Sequence, residues 1–140
     1  MAKKTWMTRA TGVLLPVSSL PSKYGVGTFG QAAREWVDFL ARAKQRYWQV
    51  LPLGPTSFGD SPYQSYSAFA GNPLFIDLQE LCNAGLLKKG RCKRTPWGED
   101  PSYVDYDTVR AGREQLLRRA FSHFKHFRVL ERFRKRNKFW

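Results

Sequence analysis

The side chains best suited to chemistry collect in one stretch, residues 54–73. It carries Phe58, Tyr63, Tyr66 and Phe69 with several Ser, Gln64, Asn72 and a single acid, Asp60, and it has no Lys, Arg or Glu. Aromatic faces cover the C–H faces of a sugar ring, while hydroxyl, amide and carboxylate groups bond its hydroxyls, so this composition suits a neutral, polyhydroxylated ligand. A phosphate site would instead want glycine-rich backbone with Lys or Arg. Two bland alternatives stand beside this reading. Asp60 alone also suits an N-cap or a turn, and Phe58, Tyr66 and Phe69 can pack the loop onto its scaffold, the role assigned here to Tyr66 and Phe69.

Other chemistries find fewer parts. Glycoside chemistry needs two placed carboxyl groups, and only Asp60 lies in a plausible ligand-facing position. Glu35 and Asp38 read as helix-surface residues, Asp77 and Glu80 as a helix cap. His123 and His126 share a helical face but have no neighbouring acid or Cys, so they read as surface or packing residues. Ser18-Ser19 lacks a visible base. Gly25-Val26-Gly27-Thr28-Phe29-Gly30 is a partial glycine pattern with no Lys and the wrong spacing for a phosphate loop. Cys82 and Cys92 form neither a CxxC pair nor a Cys/His set, so zinc is not expected; they read as reduced thiols.

The loop must be positioned by the elements around it. Residues 11–17 are continuously apolar and predict a short parallel strand covered on both faces. A Pro/Gly/Ser-rich loop follows over 18–27. Thr28 and Gln31 have capping-box spacing and predict a helix to about residues 44–45, with Phe29, Ala33, Trp36, Val37 and Leu40 as its apolar stripe. Residues 47–53 predict a second strand, limited by Pro52 and Pro55. Strand, helix, strand is a βαβ unit with parallel strands. A loop as long as 54–73 is usually functional or disordered, and its aromatics argue against disorder. It leaves the C-terminal end of a parallel strand, where α/β folds bind ligands.

Beyond it, Asp77 and Glu80 predict a capped short helix ending near Gly85, and residues 88–104 look irregular. Asp105 or Asp107 caps a longer helix with Val109, Leu116, Leu117, Ala120, Phe121 and Phe124 inward, weakened locally by Gly112. A further amphipathic piece starts near Arg128.

The chain has 140 residues, which by length suits one domain. With 42% hydrophobic and 15% aromatic residues it is too apolar for a disordered chain. No apolar run approaches a membrane span, and the N-terminus lacks the apolar core of a secretory signal, so the cytoplasm is the expected location. The formal net charge is +13, unevenly spread: +3 over residues 1–80 and +10 over residues 81–140. Such a basic region raises nucleic acid as an alternative partner, testable by its salt dependence. A solvated helix face is the bland alternative, and a stand-alone glucan-binding module is a third reading.

Several motifs resemble a known family. Leu14-Leu15-Pro16-Val17-Ser18-Ser19-Leu20-Pro21 and Tyr24-Gly25-Val26-Gly27 are similar to the start of the 4-alpha-glucanotransferases (amylomaltase or disproportionating enzyme, glycoside hydrolase family 77). Tyr47-Trp48-Gln49-Val50-Leu51-Pro52-Leu53-Gly54-Pro55-Thr56 resembles that family's second strand. Gly59-Asp60-Ser61-Pro62-Tyr63-Gln64-Ser65, Ser67-Ala68-Phe69-Ala70-Gly71-Asn72-Pro73 and Ile76-Asp77-Leu78 continue the match. The resemblance is strong over residues 9–87 and fainter beyond, where Val104-Asp105-Tyr106 still looks similar.

The resemblance implies an α/β fold: the N-terminal part of a (β/α)8 TIM barrel, incomplete here, with residues 1–87 as its first two β/α units and residues 88–140 as the start of a basic helical insertion. It implies transfer of α-1,4-glucan segments between maltooligosaccharides by a retaining mechanism without a cofactor. Ser61 and Tyr63 match positions lining the family's donor-side sugar site, which favours ligand contact for Tyr63; Asp60 stands beside them. Phe58 falls where some members place a Tyr in a secondary glucan-binding patch. The family's nucleophile Asp, acid/base Glu and second Asp lie downstream, matched by no position here. A complete barrel takes about 250 residues, and family sequences run on past Phe139-Trp140. The piece alone is therefore expected to be inactive and poorly soluble or molten.

Overall fold

The computed structural model describes residues 9–139, with the backbone alone at Phe58. Two strands, β1 (Gly12–Leu14) and β2 (Tyr47–Gln49), flank helix α1 (Gln31–Arg42), and four helices follow: α2 (Leu78–Asn83), α3 (Lys89–Arg94), α4 (Tyr106–Ser122) and α5 (Phe127–Arg136). The strands pair in parallel, with Gly12 opposite Tyr47 and Leu14 opposite Gln49. The βαβ unit read from the sequence is therefore present. Among the described residues, no helix is long and apolar enough to cross a membrane.

Both strands are shorter than expected. Pro16 lacks an N–H for a ladder, and the chain turns into a 3-10 segment at Val17–Ser19. Beyond Gln49 the prolines at 52 and 55 act in the same way. Burial is also one-sided. Leu15, Trp48 and Val50 pack with Val17, Leu20 and Ala33 against α1, and the Trp48 indole donates to the Leu15 carbonyl at 2.8 Å. The opposite face is open, with Leu14 53% and Tyr47 62% exposed. The expectation of strands covered on both faces is corrected: one face is bare.

The expected Thr28–Gln31 capping box does not form. Gly30 is the N-cap of α1 and makes no side-chain cap bond. Thr28 Oγ1 instead donates to Asp77 Oδ2 at 2.5 Å, and Gln31 bonds Glu35 one turn on. The box would need Thr28 at the N-cap, but the helix begins after Gly30, which leaves Thr28 two residues outside it. Glycine at 30 leaves room for the Asp77 carboxylate, which a Cβ would run into. The α1 stripe is also narrower than expected: Ala33 and Leu40 are buried, but Phe29 and Val37 are exposed, and Trp36 stacks on Phe39.

The helical half encloses a core that Tyr24 and Val26 of the loop before α1 complete. Asp77 caps α2 as expected, accepting from the Glu80 N–H at 2.8 Å, but Glu80 pairs with Arg34 of α1 rather than returning the bond. Residues 88–104 are not wholly irregular, since they contain α3. Its sequence, Lys-Gly-Arg-Cys-Lys-Arg, has a single buried residue, Cys92, so it shows no apolar period to read. Of the two candidate caps for α4, Asp105 serves, accepting from the Thr108 N–H. Val109, Leu116 and Ala120 face inward as expected, whereas Phe121 is exposed. Gly112 admits close packing, because a Cβ there would meet Thr95 Cγ2 at 2.6 Å.

Arg113, unnoticed in the sequence, is 1% exposed. It donates to the Ile76 carbonyl at 2.8 Å and the Tyr24 carbonyl at 3.3 Å, and its guanidinium lies 5.9 Å from the centre of the Trp97 ring. Burial pulls its pKa down to about 10, still well above neutral, so the cation is retained. It joins the loop at residue 24 to the start of α2. Helix α5 has no buried residue.

Candidate functional site

The loop over residues 54–73 is folded on itself. Thr56 and Ser65 form an antiparallel bridge, and the Gln64 carbonyl accepts from both the N–H and the hydroxyl of Ser57, at 3.2 and 2.7 Å. Close approach there requires glycine at 54, where a Cβ would meet Ser65 Oγ at 2.5 Å. The tip turns through a 3-10 segment, Phe58–Asp60. Gly59 and Asp60 both have positive φ, 71° and 52°, and Asp is one of the few side chains that tolerates this region. The loop is tied back by the Asn72 N–H bonding the Leu53 carbonyl at 2.8 Å. The Asn72 side chain in turn accepts from the Leu74 N–H at 3.0 Å.

Asp60 is fixed by two groups acting on one oxygen. Its Oδ1 accepts from Thr56 Oγ1 at 3.1 Å and from Arg110 of α4. This ion pair crosses fifty residues of sequence, so no local spacing could have exposed it; Arg110 and Thr56 are the site-forming residues that the sequence reading missed. The turn reading of Asp60 is thus observed, with its carboxylate held by Thr56 and Arg110.

Ser61 is half-buried, and its hydroxyl lies 3.4 Å from the Tyr63 N–H. Tyr63 projects outward, 73% exposed. The structure therefore brings Asp60, Ser61 and Tyr63 into one turn, with the Tyr63 ring presented to solvent. The Phe58 side chain lies outside the described residues. Tyr66, expected to pack the loop down, is 74% exposed instead. Phe69 is exposed as well but meets Phe139 edge-to-face at 5.3 Å.

A separate groove of about 880 Å³ runs between the 18–27 loop and residues 97–104, with Ser18, Ser19 and Tyr103 on its walls. Neither Asp60 nor Tyr63 lines it. Among the described residues, no cluster of three His, Cys, Asp or Glu side chains could hold a metal ion. His123 bonds the Leu86 carbonyl at 3.0 Å, in keeping with a packing role.

The geometry has close counterparts. The chain is 51% identical over 137 residues to a 4-alpha-glucanotransferase of Streptococcus pneumoniae, a match covering 94% of this chain and 27% of that protein. It is 49% identical over 123 residues to the Thermus thermophilus 4-alpha-glucanotransferase, with 85% and 23% covered. Its fold superposes on the amylomaltase from Streptococcus agalactiae, solved in complex with acarbose, with a TM-score of 0.90 and 43% identity over 94% of this chain and 27% of that one. The chain thus spans about a quarter of the length of these relatives. The glycoside hydrolase family 77 model, described as 4-alpha-glucanotransferase, matches residues 15–140. A family match over residues 15–140, together with relatives about half identical to it, makes this chain a member of glycoside hydrolase family 77, the 4-alpha-glucanotransferase family.

Proposed function

We propose that this chain forms the opening part of the (β/α)8 barrel of a 4-alpha-glucanotransferase, and that residues 54–73 supply part of its donor-side sugar site. The observation that carries the reading is the exposed Tyr63 ring on a loop made rigid by the Thr56–Ser65 bridge and the Asp60–Arg110 pair. A rigidly held aromatic face loses little entropy on meeting a sugar ring. Ser61 and Tyr63 contact the glucan, Asp60 holds the turn between Phe58 and Ser61, and Phe58 extends the glucan-binding patch. Residues 1–87 supply the first two β/α units and residues 88–140 open the helical insertion. The bare sheet face, with Leu14 and Tyr47 on it, fits a barrel interior awaiting further strands.

Retaining transfer requires two carboxyl groups about 5 Å apart. Asp60 is the one carboxylate in the loop, and it is ion-paired. The chain by itself is therefore inactive in this reading, and the reacting carboxylates belong to the remaining three-quarters of the enzyme. No cofactor is needed.

A chimera tests this. Residues 1–140 joined to the remaining length of the Streptococcus pneumoniae relative should disproportionate maltooligosaccharides, followed by glucose release. Tyr63→Ala in that chimera should lower kcat/KM by about tenfold or more, equivalent to ~1.4 kcal/mol of transition-state binding. A folded but inactive chimera would overturn the assignment of the chain, and an unchanged kcat/KM would overturn the role of Tyr63.

A further inference from the structure

We propose that Cys82 and Cys92 form a dithiol site that small-molecule disulfides, such as oxidised glutathione, convert into an intramolecular disulfide. The proposal does not rest on the glucan reading. Cys82 lies in α2 and Cys92 in α3, and their sulfurs are 3.8 Å apart. A disulfide has an S–S length of about 2 Å, so small side-chain and helix adjustments would close the gap. Both thiols are free, Cys92 buried and Cys82 partly accessible. No third His, Cys, Asp or Glu completes a metal-ligand set with them among the described residues.

The unequal exposure orders the chemistry. Cys82 is the entry thiol, since a reagent can reach it. Cys92 is enclosed beside Tyr24, Leu78 and Leu116, and burial together with the neighbouring Cys82 sulfur pushes its pKa up to about 11, so it does not react with solutes directly. The Cys82 thiolate attacks one sulfur of the reagent. The reagent's S–S bond breaks, and one thiol leaves with the proton that Cys82 has given up. The Cys92 sulfur, already in contact, then attacks the Cys82 sulfur of the mixed disulfide and expels the second thiol, which takes the Cys92 proton. The protein loses two hydrogen atoms, and the reagent is reduced to two thiols. Proximity favours the second step over the escape of the mixed adduct.

The cross-link would staple α2 to α3 within the core of the helical half. It would act on a joint that already matters: Asp77 caps α2 and holds Thr28, and the Cys92 carbonyl accepts from the Trp97 indole at 2.8 Å.

The test uses the whole chain, incubated with oxidised glutathione at pH 8, quenched by alkylation under denaturing conditions and weighed by mass spectrometry. The expected product has lost the mass of two hydrogens and takes up no alkyl group. Trypsin cleaves at Lys88, Lys89 and Arg91, so the cross-link should appear as a joined peptide pair that separates on reduction. Cys92→Ala should instead accumulate a stable glutathione adduct on Cys82, and Cys82→Ser should leave Cys92 unmodified. Persistent alkylation of both cysteines in the wild-type chain, a stable glutathione adduct on it, or cross-links only between two chains would each overturn the proposal, and none of these readings requires a variant to fold.

Discussion

The half of the chain built from β1, α1 and β2 buries one face of its sheet, whereas the half built from α2, α3 and α4 encloses a core that Tyr24 and Val26 of the first half complete. In the first, Val17, Leu20 and Ala33 are buried under α1 while Leu14 and Tyr47 lie open. In the second, Leu78, Cys92 and Val109 are 0% exposed. A two-stranded sheet has two unpaired edges and, under a single helix, one surplus face, which further strands, helices or loops must cover. Short helices can satisfy their backbones internally and need cover on a single stripe. A strand pair covered by one helix thus leaves a face open, while short helices can enclose their apolar stripes among themselves.

This contrast can be broken by mutation. The largest effect should come from Leu78→Ala, which empties a fully enclosed position and should cost about 2–5 kcal/mol in urea denaturation. Asp77→Ala comes next. It removes the α2 cap and orphans the Thr28 hydroxyl, for a combined loss of about 2 kcal/mol. Hydrogen exchange should rise both at the start of α2 and around residues 28–30, because Asp77 joins the two halves. A loss confined to α2 would show that the joint is made elsewhere.

A third effect is read by pH. The Thr108 hydroxyl and N–H hold the Asp105 carboxyl below the usual carboxylate range. A depressed acid contributes stability above its unfolded pKa, near 3.9, and loses it as pH falls through the lower folded value. Asp105→Asn retains a capping oxygen but no charge, so the acid-side fall in α4 helicity, followed by circular dichroism, should flatten in that variant.

The smallest effects belong to the exposed positions. Arg34→Ala breaks a pair whose side chains are both about half exposed and should cost under ~0.5 kcal/mol. Leu14→Ser, on the bare face, should change stability by no more than about 0.5 kcal/mol. A loss at Leu14 approaching that at Leu78 would mean the open face is covered after all, and the comparison of the two halves would fail.

The local pattern alone was enough to read the parallel βαβ unit, the Asp77 cap, a cap for α4 at Asp105 or Asp107, and the turn reading of Asp60. Those features depend on neighbours a few residues apart: continuous apolar runs, a carboxylate three residues before an N–H, glycine beside a turn-forming Asp. Local spacing misled at Thr28, which lies two residues before the N-cap of α1 and bonds the Asp77 carboxylate forty-nine residues away. It hid α3, because one buried Cys among cations makes no period. It placed Val37 and Phe121 inward, whereas both are about half exposed. Tertiary structure alone decided that Arg113 is buried, that Arg110 pairs with Asp60, and that two cysteines ten residues apart touch. Each is a contact between distant segments, made by packing rather than by spacing, and a single sequence carries no local trace of it.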